Sequence, residues 1–275
     1  MFRNVYYYQT FVGLKPVLEN SNAVSVLNVS SIHFGKDDSG KPYIHLNNLP
    51  PNDSTFEKLW EQTKQASDKG IKIVLMVGGE AGAYNALFSE FDTYYQLLKS
   101  TITDHDWITG IDLDIEEQVE ISQVEMLIKA IRSDFGKDFT ITMAPLLGSL
   151  QKDMPGMGGF VYKNLYKSSV GKEISWFNVQ SYYSYTVEDF TAMVDNGYPP
   201  DKLVFGMLQS QFPSSTFGEA VATVKSLRKK YPSMAGVFVW EYYKAPPGGT
   251  SDPVKWAQLM YSTKPQSSAK KCNML

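Results

Sequence analysis

The sequence predicts a single closed (β/α)8 barrel, and three observations support this prediction. Eight short apolar runs rich in Val, Ile, Tyr and Phe have the character of buried parallel strands. They begin about 33 residues apart on average, which suits a βα unit of roughly 30 residues. The length of 275 residues matches the roughly 250 that such a barrel needs. The predicted strands are Val5–Gln9, Ala23–Ser30, Lys72–Val77, Gly110–Ile115, Thr140–Ala144, Trp176–Ser181, Leu203–Leu208 and Gly236–Trp240.

Helices are predicted between these strands from their start and stop signals. The segments Ser54–Glu57, Ser122–Glu125 and Thr216–Glu219 have the pattern of a capping box, in which a hydroxyl and a carboxylate satisfy opposite backbone amides. Asp252–Pro253 fits an N-cap followed by proline. The segment Gly35–Asp53 is rich in Gly, Pro and Asn and predicts an irregular loop or a hairpin. A doubly wound open sheet has the same rhythm of elements and is the alternative to a closed barrel.

Composition and charge exclude several functional classes. With 43% hydrophobic and 20% charged residues, the chain has the composition of a folded globular protein. A net charge of −3 gives no basic field that would attract nucleic acid. No apolar run approaches the 18 or more residues of a membrane helix, and the N-terminus lacks the pattern of a secretory signal. Because a single cysteine allows no internal disulfide, we expect a cytoplasmic protein, and we expect a monomer.

Metal and cofactor signals are weak. The histidines His33, His45 and His105 lie far apart and show no zinc-ligand spacing. The sequence therefore implies no cofactor and no structural metal.

The segment Thr109–Glu117 carries the strongest chemical signal. Side chains alternate between the two faces of a strand, so Asp112, Asp114 and Glu116 share one face and three aliphatic residues share the other. Consecutive acids on that face lie roughly 6.5–7 Å apart. If the aliphatic face packs on the outer helices, the acids point into the barrel. Glu116 then reaches the C-terminal rim, where barrel active sites form.

Three acids on one buried face are expected to have perturbed pKa values. Like-charge repulsion and desolvation should raise the pKa of at least one of them. A carboxylic acid that stays protonated near neutral pH is what a glycosidase needs to protonate a leaving oxygen. Two other interpretations are open at this point. An exposed edge strand would also show alternating acids, and an Asp-x-Asp-x-Glu pattern is able to bind Mg²⁺ or Ca²⁺.

The acidic strand also carries a family resemblance. The run GIDLDIE, Gly110–Glu116, resembles the acidic motif of glycoside hydrolase family 18, which comprises chitinases and related endo-β-N-acetylglucosaminidases. Four more segments resemble strands of that family, and the resemblance covers most of Val5–Trp240: Lys72–Gly82, Thr142–Pro145, Asn178–Tyr182 and Gly236–Trp240. With no room for a large inserted domain, the chain is most similar to the compact class III type. Thr109 and Met76 depart from the pattern, standing where Asp and Ser are usual.

The resemblance implies a retaining, substrate-assisted mechanism, in which the substrate's own 2-acetamido oxygen replaces the nucleophilic carboxylate of ordinary retaining glycosidases. Glu116 would be the acid and base. Asp114 would hold the acetamido N–H, and Asp112 would exchange a proton with Asp114. Tyr182 would hydrogen-bond the acetamido carbonyl.

Further residues are assigned to substrate binding. Gln180 lies two residues before Tyr182, so the two side chains share a strand face. Trp240 would form an apolar floor under the bound sugar. Met143 and one of the N-terminal tyrosines, Tyr7 or Tyr8, are also predicted to line the pocket; Tyr8 is the one assigned, and core packing is the more usual role of all three residues.

The predicted function is the cleavage of β-1,4 linkages next to N-acetylglucosamine, in chitin or chito-oligosaccharides. The alternatives are an endo-β-N-acetylglucosaminidase acting on the chitobiose core of N-glycans and a carbohydrate-binding barrel without turnover. A metal-dependent phosphodiesterase or lyase that uses the acids as ligands is a third alternative.

We expect the chain to divide into a catalytic barrel, residues 1–264, and a flexible basic tail, residues 265–275. Cys272 follows two lysines near the end of the sequence and resembles a prenylation motif. A lipid at this position, together with the lysines, would give weak membrane association. An unmodified tail is the alternative.

Overall fold

The computed structural model describes residues 1–264 and has the predicted closed barrel. Its eight barrel strands are parallel and every one of them pairs on both sides, because β1 pairs with β2 as well as with β9. This closure leaves no sheet edge within the barrel and excludes the open doubly wound alternative. The strands are β1 (Arg3–Tyr8), β2 (Val26–Lys36), β3 (Pro42–Leu46), β4 (Lys72–Gly78), β5 (Ile108–Asp114), β6 (Thr140–Met143), β7 (Trp176–Gln180), β8 (Leu203–Leu208) and β9 (Gly236–Trp240), with β3 outside the barrel.

Helices follow the strands and cover the outside of the barrel. Within residues 1–264, no helix is long and apolar enough to cross a membrane. The predicted tail and Cys272 lie outside the described residues. The helices are α1 (Lys15–Glu19), α2 (Glu57–Asp68), α3 (Tyr84–Ser89), α4 (Phe91–Asp104), α5 (Ile121–Phe135), α6 (Leu147–Gln151), α7 (Tyr162–Lys167), α8 (Val187–Asp195), α9 (Phe217–Lys230) and α10 (Lys255–Ser262).

The capping box predicted at the start of α5 is shifted by two residues. The backbone N–H of Glu120 donates to the side chain of Gln123 at 2.9 Å, and the helix begins at the next residue, Ile121. Glu125, the expected acid of the box, instead approaches Lys129 at 3.7 Å on the helix surface. The cap residue Glu120 is not a serine or threonine, so the capping-box pattern on which the prediction relied did not identify it.

The other predicted caps also differ from the structure. A 3-10 turn over Ser54–Phe56 precedes α2, and Asp53 caps it by accepting a hydrogen bond from the N–H of Thr55 at 2.8 Å. The hydroxyl of Thr216 makes no cap bond to α9. The last helix, α10, begins after Val254 rather than at the Asp252–Pro253 step. In each case the helix exists where predicted, but its first turn is arranged differently.

The segment Gly35–Asp53 contains the hairpin that its composition allowed. Strand β2 continues beyond its predicted end and pairs antiparallel with β3, from Ile32 opposite Leu46 to Lys36 opposite Pro42. The hairpin therefore extends from the C-terminal end of a barrel strand, on the side where the acid row ends.

The barrel strands divide the core into two layers. Alternate residues point into the barrel, where Val5, Tyr7, Val74, Met76 and Phe238 pack together. Their chain neighbours point outwards and form a larger apolar layer beneath the helices. Because successive side chains of a strand face opposite ways, a shift of one residue decides which layer a side chain joins.

Candidate functional site

The acid row lies on the inner face of β5. Asp112 and Asp114 are buried there, and Glu116 is half-buried just beyond the end of the strand. The amide nitrogen Nε2 of Gln180 donates to Oδ1 of Asp114 at 3.0 Å and lies 3.4 Å from Oε1 of Glu116. These contacts place both carboxyl groups on the same side of the barrel mouth. The exposed edge-strand interpretation is therefore wrong.

Three donors surround the deepest acid, Asp112. The hydroxyl of Tyr7 donates to its Oδ2 at 2.7 Å, and Nδ2 of Asn178 donates to its Oδ1 at 3.0 Å. The hydroxyl of Thr142 donates to Oδ1 as well. Burial raises the pKa of Asp112, and these three donors oppose the rise because they stabilise the anion.

Asn178 and Gln180 are fixed by their own partners. Nε1 of Trp176 donates to Oδ1 of Asn178 at 2.9 Å, which turns the Asn178 amide nitrogen towards Asp112. Nε2 of Gln180 also donates to the carbonyl of Ala144 at 2.8 Å. Both amides therefore present N–H groups to the acids. N–H and O–H donors on these carboxylates do not suit a metal site, and within residues 1–264 no group of three His, Cys, Asp or Glu is placed to hold a metal ion.

The two outer acids have raised pKa values. Burial raises the pKa of Asp114 well above its ordinary range, and the charges of Glu116 and Asp112 add to the rise. Burial also raises the pKa of Glu116; Gln180 opposes this rise and the charge of Glu80 adds to it. A proton is therefore held on the Asp114–Glu116 pair at a pH where an isolated carboxyl group has lost it.

This shift predicts a pH-dependent effect on stability. With a raised folded-state pKa, the contribution of Asp114 to stability is fully present below the unfolded value of about 3.9 and is lost as pH rises through the folded pKa. We expect Asp114→Asn to raise the Tm at pH 8, by about 2–4 °C for each kcal/mol of burial penalty removed, and to raise it less at pH 4. Scanning calorimetry at both pH values tests this, and an equal change at both would contradict it.

The paired glycines Gly78 and Gly79 shape the space above Asp114. Their φ values of +97° and +87° are in the left-handed region that favours glycine. A β-carbon on Gly78 would lie 2.3 Å from the backbone oxygen of Asp114, and one on Gly79 would lie 3.1 Å from Cε of Met76. A β-carbon on Gly79 would also lie 3.7 Å from Oδ2 of Asp114. Met76, which stands where the resembled family has serine, is thus buried beside the acid row.

Glu117 is a residue of the site that the sequence reasoning missed. Its carboxylate accepts hydrogen bonds from the backbone N–H groups of Ala83 and of Tyr84, the latter at 2.6 Å. These contacts tie the loop after β4 to the loop that carries Glu116. Tyr84 is itself buried in the outer layer, and its hydroxyl donates to the carbonyl of Val77 at 2.8 Å.

Tyr182 and Trp240 lie at the mouth of the barrel. Both are half-buried and pack on the inner layer, with ring centroids 6.2 Å apart for Tyr182 and Phe238 and 5.2 Å apart for Trp240 and Tyr7. Burial and the charge of Asp114 raise the pKa of the Tyr182 phenol well above 10. Tyr182 is therefore a neutral hydroxyl donor across the physiological range.

A cleft opens beside the acid row. It has a volume of about 510 Å³, and Trp240, Met76 and Gly79 are among its lining residues. This volume lies within the roughly 300–1,000 Å³ typical of ligand sites. The cleft combines the indole of Trp240 with Gly79, which borders Asp114, so a sugar ring packed on the indole would lie close to the acid row.

Two predicted binding residues are corrected by the structure. Tyr8 and Met143 are fully buried in the outer layer, where Tyr8 packs against Phe11 and Met143 pairs with Leu113. Neither side chain reaches the cleft. The residue that does face inwards from β1 is Tyr7, one position earlier.

Comparisons with known proteins agree with this geometry. Residues 3–210 match the model of the glycosyl hydrolases family 18. A solved fungal endo-β-N-acetylglucosaminidase from glycosyl hydrolase family 18 is 32% identical, with a TM-score of 0.84 and coverage of 95% of this chain and 97% of that one. The chitinase ChiC from Aspergillus fumigatus is 29% identical, with a TM-score of 0.81 and coverage of 96% and 99%.

A sequence relative gives the same assignment. Chitinase 2 of Rhizopus oligosporus is 28% identical over 204 residues, which are 66% of this chain and 36% of that protein, so the chain spans about a third of this relative's length. The family match extends over well more than half of the chain and includes the acid row, the glycine pair and the Gln180 strand. The chain therefore belongs to family 18 of the glycosyl hydrolases.

Proposed function

We propose that the protein hydrolyses β-1,4 linkages next to N-acetylglucosamine, with retention of configuration and with assistance from the substrate. The shared amide of Gln180 carries this proposal. Because it contacts both Asp114 and Glu116, the two carboxyl groups meet a bound sugar from one side. A carboxylate nucleophile would have to stand across the sugar ring from the acid. The acetamido oxygen of the substrate supplies the nucleophile instead, as in the exceptions to the two-carboxylate scheme.

In the first step, the glycosidic bond breaks and a ring forms within the substrate. The protonated form of Glu116, which burial favours by raising its pKa, gives its proton to the departing oxygen. The acetamido carbonyl oxygen attacks the anomeric carbon and forms an oxazolinium ion. Asp114 accepts a hydrogen bond from the acetamido N–H and balances the positive charge.

In the second step, water reopens this ring. Glu116, now a carboxylate, removes a proton from water, and the water oxygen bonds to the anomeric carbon while the acetamido group is released. Two inversions at one carbon give net retention. Glu116 ends the cycle protonated, so protons and bonds balance.

The neighbours of Asp114 set its charge during the cycle. The three donors on Asp112 hold that residue as a hydrogen-bond acceptor, which favours a second proton, separate from the one on Glu116, on Asp114 rather than on Asp112 in the resting site. When the oxazolinium ion forms, its positive charge favours the ionised form of Asp114. In this proposal, the proton that Asp114 loses passes to Asp112.

Tyr182 and Trp240 bind the same sugar in this proposal. The neutral hydroxyl of Tyr182 donates to the acetamido carbonyl and turns its oxygen towards the anomeric carbon. The indole of Trp240 packs under the apolar C–H face of the sugar ring.

The test is the configuration and identity of the products. We expect chitotetraose to be cleaved and proton NMR to show the β-anomer of the new reducing end before mutarotation. An α-anomer formed first would contradict the retaining mechanism. Mass spectrometry will also show whether chitin oligomers and a high-mannose glycopeptide are cleaved. If neither substrate is cleaved, a carbohydrate-binding barrel is favoured instead.

An endo-β-N-acetylglucosaminidase acting on N-glycan cores is the second candidate. It is favoured by the similarity to the fungal enzyme of that activity over nearly the full length of both chains. Release of a high-mannose glycan, with one N-acetylglucosamine left on the peptide, would establish it.

A further inference from the structure

The cleft beside the acid row continues into a larger groove. A second cavity of about 810 Å³ lies between the β2–β3 hairpin and the loop that joins β4 to α3. It shares Gln9, His33 and Ala81 with the 510 Å³ cleft under Trp240. The two volumes therefore form one groove that leads from the acid row to the hairpin.

His33 connects the two walls of this groove. Nδ1 of His33 lies 2.6 Å from the carbonyl oxygen of Gly82, and Nε2 lies 2.9 Å from Oγ of Ser31. A carbonyl only accepts, so Nδ1 of His33 donates to the carbonyl of Gly82. The hairpin and the opposite loop are thus held at a fixed separation.

Glu241 fixes the third side of the groove. Its Oε2 accepts hydrogen bonds from the backbone N–H groups of Gln9 and Thr10 at 3.0 and 2.8 Å, and its Oε1 accepts from the Thr10 hydroxyl at 2.6 Å. Glu241 directly follows Trp240, so the loop after β1 is tied to the residue that forms the floor of the cleft. The groove is preorganised before any ligand binds.

The hairpin presents an aromatic pair to this groove. The rings of Tyr43 and His45 are stacked, with centroids 4.0 Å apart and planes inclined by 17°. Both are half-buried and line the cavity. Gly35 lies opposite Tyr43 on β2, and a β-carbon there would be 2.4 Å from the Tyr43 hydroxyl, so glycine allows the ring to lie across the hairpin.

The aromatic pair is uncharged and has polar neighbours. Burial and the nearby His33 lower the pKa of His45, so its imidazole is neutral at neutral pH. Asn48 and Asn85 line the same cavity and supply amide donors and acceptors. An aromatic surface next to amide groups suits a pyranose, which has an apolar C–H face and a rim of hydroxyl groups.

We propose that the Tyr43–His45 pair binds a sugar of the glycone that lies two or more positions beyond the sugar over Trp240, farther along the groove than a chitobioside extends. This inference rests on the proposed function, since it extends the same groove. The ligand class is a neutral oligosaccharide. Its distal sugar comes either from a chitin chain or from the mannose branches of an N-glycan, and the two share the same C–H face and hydroxyl rim.

Substrates of different length test this proposal. Tyr43→Ala is compared with the parent on methylumbelliferyl chitobioside, on chitopentaose and on a high-mannose glycopeptide. We expect kcat/KM on a long substrate, relative to the chitobioside, to fall about tenfold through KM, because the stacking contact is lost. Tyr43→Phe keeps the ring and should restore the preference. The exposed Tyr261 of α10 provides the control Tyr261→Ala, which should leave it unchanged.

Each outcome decides the proposal. A loss on chitopentaose alone identifies a chitin chain as the ligand, and a loss on the glycopeptide alone identifies the branched glycan. Equal losses on the short and long substrates, with a lowered Tm, would mean that the pair only stabilises the hairpin and would overturn the proposal. An unchanged preference on both long substrates would also overturn it.

Binding measurements separate the test of the aromatic pair from the test of the proposed function. If the parent cleaves no substrate, the proposed function fails, and calorimetric titration of Glu116→Gln with chitopentaose and with the glycopeptide then tests the aromatic pair. Binding about tenfold weaker when Tyr43→Ala is added supports the aromatic pair. Equal binding, or no binding by the Glu116→Gln protein, overturns it.

Discussion

Glu116→Gln is expected to lower kcat on chito-oligosaccharides by a factor on the order of 10²–10⁴. Glutamine is close in shape to glutamate but neither gives a proton to the leaving oxygen nor takes one from water. Its carbonyl oxygen is still able to accept from Nε2 of Gln180, the contact that Oε1 of Glu116 makes at 3.4 Å. The loss should therefore appear in kcat, while oligosaccharide binding measured by calorimetry stays within a few-fold of the parent.

The effect of Glu116→Gln should also depend on the leaving group of the substrate. A nitrophenolate departs without a proton, so the loss caused by Glu116→Gln should be smaller on a nitrophenyl chitobioside than on chitotetraose. The matched control is Glu125→Gln on α5, where the acid approaches Lys129 at 3.7 Å. Glu125→Gln should retain parental kcat. If the Glu116→Gln protein keeps most of its activity on chitotetraose, the assignment of the acid and base is wrong.

Asp114→Asn is expected to lower kcat by a factor on the order of 10²–10³, the usual cost of removing one electrostatic contact to a charged transition state. The neutral amide cannot balance the charge of the oxazolinium ion. Its oxygen still accepts from Gln180, which donates to Oδ1 of Asp114 at 3.0 Å, so the geometry of the row is retained. Steady-state kinetics and calorimetric titration with chitotetraose separate the loss in kcat from any change in binding.

The stability of this variant provides its folding control. Because Asp114→Asn should raise the Tm at pH 8, a large loss of kcat in a more stable protein cannot result from misfolding. Asp104→Asn, at the exposed end of α4, changes the same functional group far from the cleft and should leave kcat unchanged. A kcat for Asp114→Asn within a few-fold of the parent would contradict the proposed role of Asp114.

The acid row could be predicted because it depends only on local geometry. Asp112, Asp114 and Glu116 alternate with aliphatic residues, and one face of a barrel strand must be covered by helices. The aliphatic side chains pack against the helices, so the acids face the interior of the barrel. Gln180 and Tyr182 were found through the family resemblance, and the position of Gln180 between two acids follows from strand pairing.

The errors at Tyr8 and Met143 have a common physical cause. Tyr6, Tyr7 and Tyr8 are chemically alike, and nothing in the run itself distinguishes the inner face from the outer one. The register of β1 against β2 and β9 decides that Tyr7 faces Asp112. Met143 has the same ambiguity, because Thr142 beside it takes the inner position and donates to Asp112.

Contacts between residues that are distant in sequence could not be predicted either. Glu117 binds Ala83 and Tyr84, and Glu241 binds Gln9 and Thr10; the residues of each contact are separated by 33 or more positions. Such contacts depend on the order of strands around the barrel, which no local pattern encodes. The aromatic pair of the hairpin joins the cleft for the same reason.

The sequence alone determined the number and positions of the barrel strands, the common face of the three acids and the residue at the end of their row. These follow from periodicities of two and about 3.6 residues, which are set by backbone geometry. Only the tertiary structure decided which tyrosine meets Asp112, which amide joins Asp114 to Glu116 and which loops bound the groove. Those contacts arise from closure of the sheet, which brings residues far apart in the chain within hydrogen-bonding distance.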